Sequence, residues 1–308
     1  MIWGRMRLMI WTFLAVVAWL VGGAGPVAAQ KPDLLPCQDW RLFQDADFIR
    51  HAETMLSLNP CVTYEPLIAG GVEWRLVRLQ RGPAIPKSAP LVVVLHDNED
   101  AALVGALSLL AIRNVQIVML DSAENRHWGG LDPNRLFVSP GAMINNCPFP
   151  QHLDARFANA ILRDWSGQHP VISLHSNAPG MHGDGADGRG SISILGPKKH
   201  QRAFPAAPNP LHPRLTDPDN LIYITGLTAA PSAGQSEVVR RLRAGGVNVL
   251  YSQIAPETQD CSLSDFLTLR GQSDLYFNVE VEEGDNASAV ALARRLLFVL
   301  ETPQARLN

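Results

Sequence analysis

The chain alternates short apolar runs with polar stretches rich in Gly and Pro. Residues 91–95 (Leu-Val-Val-Val-Leu) are apolar at every position, the pattern of a strand buried on both faces. Residues 100–112 carry apolar side chains along a helical length, and 115–120 form a second β-branched run. Strand, helix, strand in that order predicts a parallel pair joined by a crossover helix. The alternation recurs downstream, with helices expected at 153–165, 236–244 and 287–300 and strands at 171–174, 221–225, 247–253 and 275–281. Upstream, 40–58 reads as a helical opening, 72–79 as a strand and 82–90 as a Pro-bearing joint. The expected fold class is α/β, a single domain over 30–308 whose mixed, mostly parallel sheet has helices on both faces. Three irregular stretches interrupt it, at 122–150, 176–190 and 197–220. Loops of that length inside a compact domain are usually either functional or wrongly assigned, and the first two leave strands, where open α/β sheets place ligands.

The apolar run at 8–21 is of another kind. Arg5 and Arg7 precede it, only Thr12 interrupts it, and small residues lead to Val27-Ala28-Ala29. A charged start, a short apolar core and a small-x-small end predict a cleavable secretory signal over 1–29. The core run falls short of the roughly 20 residues of a membrane span, so no stable membrane anchor is expected. Without that segment, 24 basic residues face 29 acidic ones, a net charge of −5. A mildly acidic chain with scattered charges has no phosphate-binding footprint, which argues against nucleic acid as a partner. With 46% hydrophobic residues the chain has material for a core. Its four cysteines, at 37, 61, 147 and 261, are even in number in an exported chain. Two disulfides are expected, Cys37 with Cys61 as the nearest pair and Cys147 with Cys261 as the remainder.

Four places could carry chemistry. His96-Asp97-Asn98-Glu99 follows the buried strand at 91–95, and an imidazole and a carboxylate three residues apart can turn toward one point, a donor pair that suits zinc. Taken alone, H-x-x-E more often marks a solvated helix N-terminus. His175 stands on the exit of another apolar strand, where a lone histidine is commonly a hydrogen-bonded core residue. Two strand exits of one parallel sheet converge on the same edge, however, and together supply His, Glu and His with a fourth position open. Asp132-Pro-Asn134-Arg135 offers a planar guanidinium and an amide able to grip a carboxylate, or else a β-turn tied down by its arginine. On the last strand, period two puts Asn278, Glu280 and Glu282 on one face, where a carboxylate could exchange protons or simply be solvated.

This ordered set resembles the zinc carboxypeptidases of the carboxypeptidase A type, near their succinylglutamate desuccinylase and aspartoacylase relatives. In that family an H-x-x-E after a buried strand is followed by an N-R pair, a ligand histidine in an L-H-[ST] context and a catalytic Glu on a late strand. The resemblance spans residues 90–284. It implies that His96, Glu99 and His175 hold one Zn2+, that Glu280 is the general base and acid, and that Asn134 with Arg135 binds the substrate's carboxylate. Arg126, in Glu-Asn-Arg126-His-Trp, matches the carbonyl-polarising arginine less well. The interval from Glu99 to His175 is nearer the desuccinylase branch, Glu282 shares a face with Glu280, and Tyr251 is the tyrosine able to approach the cleft. The stretch from His175 to Gly190, with His182, Asp184 and Asp187, reads as a mobile substrate loop.

The function expected is an exported, periplasmic or secreted zinc hydrolase that cleaves a peptide or amide bond beside a free carboxylate, with cell-wall peptides as the preferred substrate class. The alternative is a binding protein of the cell envelope that keeps the fold and has lost catalysis. A serine hydrolase is disfavoured, because the chain has no G-x-S-x-G elbow.

Overall fold

In the computed structural model, residues 36–302 are described, apart from 44, 85, 87, 140, 178–191 and 208–212. The expected signal segment lies outside the described residues, as do His182, Asp184 and Asp187 of the expected substrate loop. The chain builds one nine-stranded mixed sheet. Its strands are β1 (Cys61–Ala69), β2 (Val72–Gln80), β3 (Leu91–Val94), β4 (Gln116–Leu120), β5 (Val171–Asn177), β6 (Gln201–Phe204), β7 (Leu221–Gly226), β8 (Asn248–Gln253) and β9 (Tyr276–Glu282). Across the sheet they run β1-β2-β4-β3-β5-β9-β7-β8-β6. The contacts β4–β3, β3–β5, β5–β9 and β7–β8 are parallel, and the others are antiparallel. The expected α/β class holds: three of the four parallel contacts adjoin one another in the middle of the sheet, where strands buried on both faces belong, and the fourth, β7–β8, stands near an edge.

Period-two alternation sorts the core into two layers. Val92, Ile117, Ile172, Val279 and Val249 face one side, and Val93, Val118, Val171 and Tyr276 face the other. The first side is covered by α1 (Ala46–Arg50), α2 (Ala52–Leu58), α3 (Asp100–Ile112), α5 (Ala233–Ala244) and α7 (Asn286–Glu301). Helix α3 is apolar nearly all round because α7 packs on it, and Gly105 stands where a side chain would meet Leu174 and the Ala289 carbonyl. The second side carries α4 (Ala155–Ile161), α6 (Leu263–Leu269) and the loop bearing Leu131, Leu136 and Phe137.

Several boundaries differ from the sequence reading. The opening at 40–58 is a 3-10 turn (Trp40–Leu42) and two short helices, because the Asp45 side chain accepts the Asp47 and Phe48 N–H groups and starts a new helix there. The irregular stretch 197–220 contains the edge strand β6 and a 3-10 turn (Pro213–Thr216). Besides β6, two elements were not expected, β1 and α6. Strands β1 and β2 form a hairpin on Gly70 and Gly71, both at positive φ, as a two-residue turn of primed type requires. Pro66, which cannot donate to a ladder, is tolerated because β1 is an edge. The disulfides join Cys37 to Cys61 and Cys147 to Cys261, the pairing expected. Among the described residues no helix is long and apolar enough to cross a membrane.

Candidate metal centre

Parallel pairing brings the exits of β3, β5 and β9 to one edge of the sheet. After β3 the chain turns, the Glu99 N–H meeting the His96 carbonyl at 3.2 Å, and Glu99 becomes the N-cap residue of α3. The turn points both side chains the same way, with His96 Nδ1 2.8 Å from Glu99 Oε1. His175, late on β5, places its Nδ1 3.2 Å from His96 Nδ1 and 3.2 Å from Glu99 Oε2. All three residues are buried. Two lone pairs and a carboxylate converging this closely form a donor set for a small divalent cation, since ligands roughly 2.0–2.1 Å from a tetrahedral ion stand about 3.3 Å from one another. Three such donors leave a fourth position, as in catalytic zinc sites.

The surroundings hold the donors in place. Asp132 Oδ1 lies 2.9 Å from His96 Nε2 and accepts the Asn134 N–H, so the far side of the imidazole meets a carboxylate, as metal-binding histidines usually do. Glu99 also accepts the Ser176 N–H at 3.0 Å and Arg126 Nη1 at 2.6 Å. Burial pushes the Glu99 carboxyl up, but His175 and His96 outweigh it and hold Glu99 well below the usual carboxylate range. Burial pushes the Asp132 carboxyl up, but the hydrogen bond and charge of His96, with Arg135 and Arg126, together draw it down to about 2. Burial lowers His175 despite Glu99, whereas at His96 the hydrogen bonds to Asp132 and Glu99 outweigh burial and raise it.

Glu280 is the register partner of His175 on β9 and is buried on the same face. Its carboxyl is pushed up to about 8, first by burial and then by the charge of Glu99, against a 2.7 Å hydrogen bond from Asn278 Nδ2. Glu282, one rung further on, pairs in register with Asn177 and gathers with Asp217 and Asp219 instead. The two carboxylates that the strand pattern left equivalent thus belong to different neighbourhoods.

The N-R pair sits beside this centre. Asn134 Nδ2 is 3.5 Å from His175 Nε2, and its Oδ1 accepts the Leu263 N–H at the start of α6. Arg135 donates to the Asn134 carbonyl and lies 3.6 Å from Asp260, its side chain partly exposed. Tyr251 does not approach the cleft. Even spacing on β8 turns it to the opposite face, where its ring is buried and its hydroxyl donates to the Thr228 carbonyl. Two strand tyrosines lie on the face of the centre, Tyr223 of β7, opposite Asn278, and Tyr276 of β9. Sequence reasoning also passed over Asp132 and Ser173. Both were legible, Asp132 as the N-terminal neighbour of the N-R pair and Ser173 two residues before His175 on the same strand face.

No family model matches the chain, and no curated protein matches it. Solved structures similar to it include a candidate metallopeptidase from Shewanella amazonensis, with 13% identity and a TM-score of 0.45 over 82% of this chain and 90% of that one. A metallo-carboxypeptidase from Pseudomonas aeruginosa, in complex with (2-guanidinoethylmercapto)succinic acid, has 12% identity and a TM-score of 0.42 over 82% and 67%. An aspartoacylase family protein from Mesorhizobium loti has 14% identity and a TM-score of 0.41 over 80% and 68%. The likeness is one of chain path, and the chemistry rests on the side chains of the centre.

Proposed function

We propose that the chain is an exported zinc hydrolase that cleaves a peptide or amide bond next to a free carboxylate. The observation that carries this reading is the convergence of His96, Glu99 and His175 beside a buried Glu280, the register partner of His175. His96 Nδ1, His175 Nδ1 and the Glu99 carboxylate would hold the metal. Bound there, a zinc ion supplies Lewis acidity to a water and to the scissile carbonyl. Glu280 takes the proton of the attacking water and returns it to the leaving nitrogen, a task for a carboxyl whose proton affinity lies near the working pH. Arg126, whose Nη1 meets Glu99 Oε1 at 2.6 Å at the rim of the ligand set, would turn to donate to the oxygen on which charge develops. Arg135 binds the substrate's carboxylate by exchanging its loose, partly exposed pair with Asp260 for a bidentate one, with Asn134 alongside.

Export is supported by the N-terminal pattern of residues 1–29 and by the two disulfides, which persist in oxidising compartments. Cell-wall peptides are the preferred substrate class on that ground. The test is metal analysis after EDTA treatment and zinc return, joined to peptide and N-acyl amino acid hydrolysis by wild type and Glu280→Gln. The reading expects one zinc per chain in both proteins and turnover in the wild type alone. A wild type without stoichiometric zinc overturns it, and one that keeps zinc but cleaves no member of a broad library is a binding protein.

A further inference from the structure

His175 must present a bare Nδ1 to a metal, so its proton then has to sit on Nε2 and find an acceptor. Two groups face that nitrogen, Ser173 Oγ at 3.1 Å and Asn134 Nδ2 at 3.5 Å. The amide cannot serve. Its Oδ1 is committed to the Leu263 N–H, so the end turned to His175 carries only donors. The hydroxyl of Ser173 can serve, because it both donates and accepts and can rotate between the two. Ser173 is fully buried, two residues before His175, and strand period places both side chains on one face.

We infer that Ser173 is a positioning residue whose hydroxyl reverses its hydrogen bond so that His175 can bind metal through Nδ1. In the metal-free protein Nδ1–H donates to Glu99 Oε2, 3.2 Å away, while the Ser173 O–H donates to Nε2. When metal takes Nδ1, the ring proton resides on Nε2 and donates to Ser173 Oγ, whose own hydrogen rotates toward its other partner, the Tyr276 side chain. Removal of the hydroxyl leaves Nε2–H facing only the Asn134 donors, an unsatisfied buried group in the metal-bound form and not in the metal-free one.

The inference rests on the metal-holding role proposed for His175, and its test separates the two. Zinc(II) and cobalt(II) affinities, measured by competition with a chromophoric chelator, are compared for wild type, Ser173→Ala and Ser173→Thr. Ring 15N shifts of His175 are recorded with and without zinc. The expected result is an affinity loss of roughly 10–100-fold for Ser173→Ala, recovery in Ser173→Thr, and wild-type shifts that exchange the protonated nitrogen from Nδ1 to Nε2 on zinc addition. Should the threonine methyl prevent folding, the wild-type shifts and the alanine affinity decide. Equal affinities in wild type and Ser173→Ala, or shifts with Nε2 already protonated before zinc is added, overturn the role of Ser173 alone. A wild type that binds neither ion overturns the metal reading itself.

Discussion

Glu99 and Glu280 are both buried carboxylates at the same sheet edge, yet their neighbours drive them in opposite directions. Glu99 receives two imidazoles, the Arg126 guanidinium and a backbone N–H, which keep it ionised. Glu280 is pushed up to about 8 by its burial and then by the charge of Glu99, against the hydrogen bond from the Asn278 amide. Two carboxylates whose environments separate their proton affinities are a frequent basis for dividing ligand and acid–base roles. Asn278 supplies the hydrogen bond that favours the charged form of Glu280, and its own Oδ1 is buried without a partner. In Asn278→Leu that favour is lost and the proton affinity of Glu280 rises further. Since the base must be ionised, the acid limb of a kcat/KM profile is expected to move to higher pH by about one to two units, the worth of a hydrogen bond to a charged group. An unmoved limb would show that Asn278 does not act through Glu280.

At the scale of elements, the centre depends on strand exits and on one covalent tie. The Cys147–Cys261 disulfide spans 114 residues and fastens the loop after β4 to the start of α6, whose Leu263 N–H holds the Asn134 side chain. Replacing both cysteines by serine is expected to cost about 2–5 kcal/mol in denaturant unfolding. Because the loosened segment carries Asn134 and Arg135, KM is expected to rise more than kcat falls. A variant that loses stability with KM unchanged would detach this tie from substrate binding. The elements that were readable in advance are those with a strong period. The buried run of β3, the crossover helix α3 and the alternation of β9 showed where His96, Glu99, His175 and Glu280 meet. Strand β1 was hidden because it is an edge containing Pro66, and its polar outward face masks the alternation. Helix α6 was hidden because it has only seven residues and its N-cap, Ser262, follows a disulfide cysteine at positive φ. The facing of Tyr251 was missed for a related reason, since only the register of β8 against β7 shows which side of the sheet it joins.

Across the whole molecule, buried carboxyls pull stability in two directions as pH changes. Burial raises Asp45 to about 6, Asp47 to about 8, Asp265 to about 7 and Glu280 to about 8. A carboxyl raised on folding binds its proton more tightly in the native state, so its contribution is full below the unfolded value, near 4, and is lost as pH rises through the folded value. Glu99 and Asp132, lowered on folding, contribute above the unfolded value, and that contribution is lost as pH falls through their folded values. The metal-free protein should therefore weaken between about pH 5 and pH 8 as well as in strong acid. Glu280 alone can account for at most about 5 kcal/mol of the alkaline loss, from its ordinary value of 4.5 to about 8. Unfolding of EDTA-treated wild type and Glu280→Gln in denaturant at pH 5 and pH 8 isolates this contribution, because every other group is common to both. The wild type is expected to lose more stability than the variant across that interval. Zinc return should narrow the difference, since a cation beside Glu280 favours its charged form. Equal losses in the two metal-free proteins would mean that Glu280 does not change its charge between pH 5 and pH 8, and its raised proton affinity in the metal-free fold would be refuted.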